Sequence, residues 1–327
     1  MQAVVMLETG APEVLVAREV DDPRPGPGEI LIDTVAIPVL YPETLLRSGA
    51  FPFPVPTPVV FGFQAAGVVT EIGPGADPAL RGARVVAATA GLGGYAEKVC
   101  VPAEFATVIP DGLDTDTAAA VLMGGSVALP LLETARLSGT ETVLVQAAAA
   151  GVGGSLTQLA KRFGAARVIA TAGGARKGDR ARELGADEVL DHTDPDWPQR
   201  LREALGENTI DVVFDAIGGS TANRLLAVLT PAGGRMLGYG HLSGSPAEVS
   251  AADLMAAGLT YTGCAGPAWL GRVAAARART LELAATGALR PMLADVLPLA
   301  QAAAAHRLIE QRATAGTIIL RPENAAG

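Results

Sequence analysis

The segment Val143-Leu-Val-Gln-Ala-Ala-Ala-Ala150-Gly151-Val152-Gly153-Gly154 carries the sharpest chemical signal in this 327-residue chain. An apolar run of strand character enters a glycine-rich turn, and a helical pattern follows. Gly151 and Gly153 lack the Cβ atoms that would keep backbone N–H groups away from a pyrophosphate. The helix behind them directs its N-terminal dipole and free N–H groups at the same negative charge. A bare Gly-x-Gly also serves ordinary tight turns, so the strand before it and the helix after it give the motif its weight.

Charge beyond the loop selects the dinucleotide. In a site for NAD, an acidic residue roughly 20 residues past the first glycine accepts a hydrogen bond from the ribose 2′-hydroxyl. Here the second strand runs Val168-Ile-Ala-Thr171-Ala-Gly173-Gly-Ala-Arg176-Lys177, without a carboxylate and with two cations following. Lys177 and Arg176 attract a 2′-phosphate that a carboxylate would repel, so NADPH is favoured. Read only as solvated charges at a helix start, the same cations oppose the helix dipole and call for compensation.

Elements that could position such a site alternate through the middle of the chain. Strands are expected at 142–146, 167–171, 188–190, 211–215, 234–238 and 259–263. Helices are expected at 152–163, 176–184, 197–205 and 220–229. Short strands spaced by helices mean βαβ units and a parallel sheet. The stretch 117–136 suits a helix interrupted or bent around Gly124, Gly125 and Pro130. The first hundred residues differ. Strands are expected at 14–20, 29–37, 65–72, 84–88 and 96–101, set off by Gly and Pro, giving a β-rich, partly open barrel. Alternate prolines in Phe51-Pro-Phe-Pro-Val-Pro-Thr-Pro58 require an extended loop. Thr317–Leu320 is β-like again and is expected to return to the first domain.

Composition excludes several classes. Hydrophobic residues make up 49% and charged residues 18%, which suits a packed globular chain rather than a disordered one. A net charge of −9 and 4% aromatics argue against a nucleic-acid partner. The two cysteines, Cys100 and Cys264, cannot build a disulfide framework. The N-terminus lacks the pattern of a signal peptide, and the apolar stretch 118–132 is shorter than the ~20 residues of a membrane span. A soluble, cytoplasmic protein without membrane partners is expected.

With these residues in view, the chain resembles the zinc-independent quinone oxidoreductases, the zeta-crystallin-like branch of the medium-chain dehydrogenase/reductase superfamily. The likeness spans almost the whole chain. It includes Gly10-Ala-Pro-Glu-Val-Leu15, Glu43-Thr-Leu-Leu-Arg-Ser-Gly49, Gly62-Phe-Gln-Ala-Ala-Gly67, the coenzyme loop Ala149–Gly153, Leu184-Gly-Ala-Asp187, Val213-Phe-Asp-Ala-Ile-Gly218 and Arg312–Thr317.

The resemblance implies an α/β fold: a Rossmann doubly wound parallel sheet over 117–264, and a β-rich GroES-like catalytic domain formed from both chain ends, 1–116 and 265–327. It implies reduction of quinones or α,β-unsaturated carbonyls by NADPH in a cleft between the domains. It also implies a homodimer paired through the last Rossmann strand. Cofactor positions carried over are Ser126, Ala150, Gly151, Val152, Gly153, Thr171, Gly173, Lys177, His192, Ile217, Gly238, Tyr239, Gly240 and Thr317. Zinc-dependent relatives place ligands at the positions of Leu40, Phe63 and Gln64, so no catalytic metal is expected.

The chain departs from family habit where hydrogen-bond donors should be. Leu40 stands for a common Asn, Leu45 for a Tyr, Gln64 for a Glu and Cys264 for an Arg, so a more apolar pocket is expected. Tyr41 is the best remaining donor to a substrate oxygen, the other reading being a ring packed in the pocket wall. Gln64 is the second catalytic candidate, through its amide N–H, or else a structural residue. Glu43 and Arg47, at i and i+4, suit a pair on one helix. Rival functions are an enoyl-thioester or polyketide-tailoring reductase, and a cofactor-binding protein with little turnover.

Overall fold

A computed structural model describes residues 1–50 and 54–323. The chain divides into two compact units: unit 1 holds Met1–Leu122 and Leu281–Gly327, and unit 2 holds Met123–Thr280.

Unit 1 begins with β1 (Gln2–Met6), β2 (Leu15–Glu19) and β3 (Glu29–Val39), followed by α1 (Tyr41–Ser48). Next come β4 (Val59–Val60), β5 (Gln64–Ile72), β6 (Arg84–Ala88), β7 (Lys98–Pro102) and β8 (Ala106–Val108). The helix α2 (Thr115–Ala135) then carries the chain across the boundary between the units. β3 is the spine of this half, because β5, β7 and, from the far end of the chain, β16 (Thr317–Arg321) all pair with it antiparallel. That explains why β3 is buried at nearly every position rather than at alternate ones. The strand β1 was not anticipated. Its Val4 and Met6 are fully buried beside Ile37, Phe61 and Tyr95. Residues 54–58 form neither helix nor strand, while the rest of the proline-rich loop, 51–53, lies outside the described residues.

Unit 2 holds β9 (Thr142–Val145), α3 (Gly151–Leu159), β10 (Arg167–Ala172), α4 (Ala175–Glu183), β11 (Glu188–Asp191) and α5 (Trp197–Leu205). It continues with β12 (Val212–Asp215), α6 (Gly219–Leu226), β13 (Arg235–Gly238), α7 (Ala251–Ala257), β14 (Thr260–Gly263) and α8 (Pro267–Ala275). The strands form one six-stranded sheet in the order β11-β10-β9-β12-β13-β14, parallel throughout. From β9 the order runs outward in one direction, and from β12 in the other. This is the doubly wound Rossmann arrangement, with its switch point between β9 and β12. Val143, Leu144 and Val145 are fully buried, as a central parallel strand requires. The chain closes with α9 (Arg277–Ala285), β15 (Leu293–Pro298), α10 (Ala302–Glu310) and β16.

The helix α2 bears on two expectations. It runs unbroken for 21 residues through Gly124, Gly125 and Pro130. It is therefore long and apolar enough to cross a membrane by length and composition alone, although 72% of its apolar window is buried within the protein.

Candidate functional site

The glycine loop leaves β9 through a tight path. Ala147 takes a positive φ of 51° and Gly151 one of 52°. A Cβ on Gly153 would overlap the carbonyl oxygens of Ala147 and Gln146. Gly153 is therefore needed for close packing of α3 on the strand end, while Ala150, Gly151 and Val152 form the accessible rim of the turn. Gly124 belongs to the same packing. A Cβ there would come within 2.8 Å of the Gly151 carbonyl oxygen. The glycine that reads as a helix breaker thus lets α2 approach the loop backbone. Ser126, two residues on, is 1% exposed, and its hydroxyl lies 3.3 Å from that of Thr280.

A second group gathers at the ends of β10 and β11. Thr171 is buried, and its carbonyl accepts the Ala148 N–H at 3.0 Å, joining the two turns. A Cβ on Gly173 would meet His192 Nε2 at 3.0 Å, so the imidazole lies over bare backbone. Lys177, half-buried, sits in the first turn of α4, where no acidic residue occurs. A carboxylate reaches the turn before α4 from another strand. Asp191, at the end of β11, accepts the Gly174 N–H at 3.0 Å. That hydrogen bond and those from the Thr193 hydroxyl and N–H hold the Asp191 carboxyl down at about 2. The turn thus does contain a carboxylate, delivered by β11 rather than β10.

Among the described residues, buried polar atoms without a partner include Gln146 Oε1 after β9, Asp215 Oδ2 at the end of β12, and Tyr239 Oη after β13. The other Asp215 oxygen accepts the N–H groups of Ile217 and Gly218, each at 2.9 Å, and shapes the turn after β12. Burial raises the Asp215 carboxyl against those two hydrogen bonds, and also raises the Tyr239 phenol. Gly238 admits the Tyr261 hydroxyl over its Cα, and a Cβ on Gly240 would meet the Ala216 carbonyl oxygen at 2.9 Å. Orphaned polar atoms cost free energy unless a ligand or solvent reaches them. Their position beyond the carboxyl ends of the strands at the switch point fits a dinucleotide. Sequence reasoning passed over Gln146 and Asp215, although both lie inside quoted motifs. Their signal is a polar residue closing an apolar strand.

In unit 1, Glu43 is fully buried and joins two segments. Its carboxylate accepts the N–H of Leu40 at 2.7 Å, that of Phe63 at 2.7 Å and the Tyr95 hydroxyl at 2.6 Å. Burial lifts the Glu43 carboxyl to about 7 against these three bonds. The expected Glu43–Arg47 pair is not formed. Arg47 instead reaches the Gly10 carbonyl and the Glu310 carboxylate, because Glu43 is turned back to cap its own helix. Leu40 and Phe63 flank the two candidates. Tyr41 opens α1 and is 39% exposed. Gln64 opens β5 and is 1% exposed. Its amide N–H donates to the Ala119 carbonyl at 3.0 Å, and the orphaned atom is Oε1. One amide N–H of Gln64 is thus engaged by Ala119, and its Oε1 is left as an unsatisfied acceptor. Thr317 starts β16, its N–H donating to the Met292 carbonyl at 2.6 Å. Cys264 is buried and pushed up to about 11 by burial. Leu40 and Phe63 offer no ligand atoms, and among the described residues no group of three or more His, Cys, Asp or Glu could hold a metal ion.

A six-stranded Rossmann sheet with a bare-backbone loop, in a chain whose two ends together form a β-rich unit, defines a dehydrogenase or reductase of the medium-chain class. Residues 26–111 match the alcohol dehydrogenase GroES-like domain, and residues 151–282 match the zinc-binding dehydrogenase domain. The chain is 33% identical to the 2-haloacrylate reductase of a Burkholderia species, over 99% of each chain. It is 33% identical to quinone oxidoreductase 1 of Escherichia coli (strain K12), over 96% of this chain and 97% of that one. The crystal structure of Escherichia coli quinone oxidoreductase complexed with NADPH superposes with a TM-score of 0.89 at 32% identity, covering 98% of this chain and all of that one. The chain belongs to the quinone oxidoreductase family, the zeta-crystallin-like branch of the medium-chain dehydrogenase/reductase superfamily.

Proposed function

We propose that this protein is an NADPH-dependent reductase of quinones or α,β-unsaturated carbonyl compounds. The observation that carries the reading is the set of bare backbone and orphaned polar atoms at the ends of β9, β12 and β13 in a member of this family. Relatives named for quinones, 2-haloacrylate and an NADPH complex support the substrate class and the coenzyme.

When bound, NADPH supplies a hydride to an electrophilic carbon or a quinone. Ala150, Gly151, Val152 and Gly153 are proposed to hold the pyrophosphate against the N-terminus of α3. Thr171, Gly173, Lys177 and His192 serve the 2′-phosphate end. Ile217, Gly238, Tyr239 and Gly240 take the nicotinamide ribose end, with Gln146 and Asp215 added from their orphaned atoms. Ser126 and Thr317 remain candidates as nicotinamide contacts. Negative charge builds on the substrate oxygen during transfer, and the Tyr41 phenol is the donor proposed to meet it. Gln64 is proposed to orient a donor group of substrate or coenzyme through Oε1.

The reading extends to a cytoplasmic homodimer. β14 is the end strand of its sheet, and Met255 and Leu270 on the neighbouring helices are 83% and 64% exposed. Burial of most of α2 inside the fold supports a protein that works without a membrane.

The test is NADPH oxidation followed at 340 nm with a simple quinone, a 2-haloacrylate and an enoyl thioester. Turnover of the first two is expected. Absence of binding to any pyridine dinucleotide overturns the reading.

A further inference from the structure

We infer that Asp191 sets how strongly this chain distinguishes NADPH from NADH, an inference that rests on the dinucleotide reading of unit 2. The register pairs Ala172 of β10 with Asp191 of β11, so both strands end side by side. Gly174, the residue before α4, has φ +76° and no side chain to cap the helix. Asp191 instead ties down the turn before the helix from the adjacent strand. Its Oδ1 accepts the Gly174 N–H at 3.0 Å, the Thr193 N–H at 2.9 Å and the Thr193 hydroxyl at 2.7 Å. These bonds lower the carboxyl to about 2, and it is ionised at neutral pH.

The consequence follows from where this charge sits. Arg176 and Lys177 occupy the first turn of α4, directly after the Gly174 turn that Asp191 holds. A 2′-phosphate drawn to Lys177 enters the turn that begins at Gly174, where Asp191 holds a carboxylate, and like charges there repel. A 2′-hydroxyl carries no charge and can donate to the same carboxylate, as it does to the acidic residue of an NAD site. Lys177 and Asp191 therefore pull selectivity in opposite directions, and the chain takes NADH more readily than its cationic helix start alone implies.

Equilibrium titration of the full chain with NADPH and with NADH, read by reduced-nicotinamide fluorescence, tests this without turnover. Asp191→Asn removes the charge but keeps an oxygen for the three donors. The expected result is NADPH binding tighter by roughly fivefold and NADH binding weaker by about twofold or more, the NADPH gain shrinking at ~1 M salt. Asp191→Ser removes the charge with a different hydrogen-bonding group and must shift the two affinities in the same opposed directions. Equal changes for both coenzymes, or no change, overturn the inference and leave Asp191 a structural tie. Failure of the unmodified protein to bind either coenzyme overturns the dinucleotide reading itself, before any variant is made.

Discussion

The Tyr95 hydroxyl donates to the Glu43 carboxylate at 2.6 Å, with both residues fully buried. His306 Nε2 lies 3.1 Å from the same hydroxyl, and the Phe61 ring meets Tyr95 and His306 edge-on. Because Glu43 also binds the N–H groups of Leu40 and Phe63, this buried chain of polar groups fixes the backbone beside Tyr41 and Gln64.

Its titration gives a signed prediction. Burial raises Glu43 from 4.5 to about 7 and lowers His306 from 6.5 to about 3. The raised carboxyl contributes stability at low pH that is lost as pH rises from 4.5 towards 7. The depressed histidine contributes stability above 6.5 that is lost as pH falls towards 3. Between pH 4.5 and 6.5 the two slopes oppose each other. Glu43→Gln removes only the first. The unfolding free energy of the variant relative to the unmodified protein is therefore expected to rise by about 1.4 kcal/mol per pH unit across that window. Urea unfolding at several pH values measures it, and a pH-independent difference contradicts it.

Gly153→Ala forces a Cβ into the carbonyls of Ala147 and Gln146. A loss of ~1–3 kcal/mol in stability is expected, as for overpacking elsewhere. NADPH affinity should fall as well, because the same backbone forms the loop. Thermal unfolding and coenzyme titration report the two effects separately.

Lys177→Glu reverses the charge in the first turn of α4. NADPH binding should weaken roughly a hundredfold while NADH binding changes by less than about threefold, in line with loss of a charge-assisted phosphate contact. Equal losses for both coenzymes would remove Lys177 from the 2′-phosphate site.

The Tyr41 hydroxyl belongs to a residue that is 39% exposed, at the first turn of α1. Tyr41→Phe should leave stability within ~0.5 kcal/mol and lower kcat for an enone by roughly tenfold or more, if it donates to the developing oxyanion. An unchanged kcat assigns the ring to packing alone.

Met255→Glu places a charge on the exposed apolar helix beside β14. Sedimentation velocity is expected to show a dimer for the unmodified chain and a monomer for the variant. A monomer in both removes the proposed assembly.

The Rossmann half was legible because its strands are short apolar runs bounded by glycine, and each expected strand lies within about a residue or two of its place. The glycine turn between β9 and α3 was legible for the same local reason. What escaped depended on partners distant in sequence. β1 is too short to declare itself and is defined by pairing with β2 and β4. Gly124 looked like a helix breaker because its purpose, close approach to Gly151, lies across a tertiary contact. Asp191 was overlooked because the acidic residue was sought on the second strand, whereas the third strand supplies it. The i,i+4 rule suggested a Glu43–Arg47 pair, but buried backbone donors claimed Glu43 first.

The pairing of β3 with β16 has a consequence for biosynthesis. Ile37, Pro38 and Val39 lie against Leu320, Ile319 and Ile318, which leave the ribosome only after all of unit 2. During translation unit 2 can complete its sheet while the end of β3, residues 37–39, waits without its β16 partner. An exposed flank of Ile and Val invites wrong partners. The nascent chain is thus most vulnerable to chaperone capture or misassembly in the interval before β16 emerges, and removal of β16 should harm the N-terminal half first.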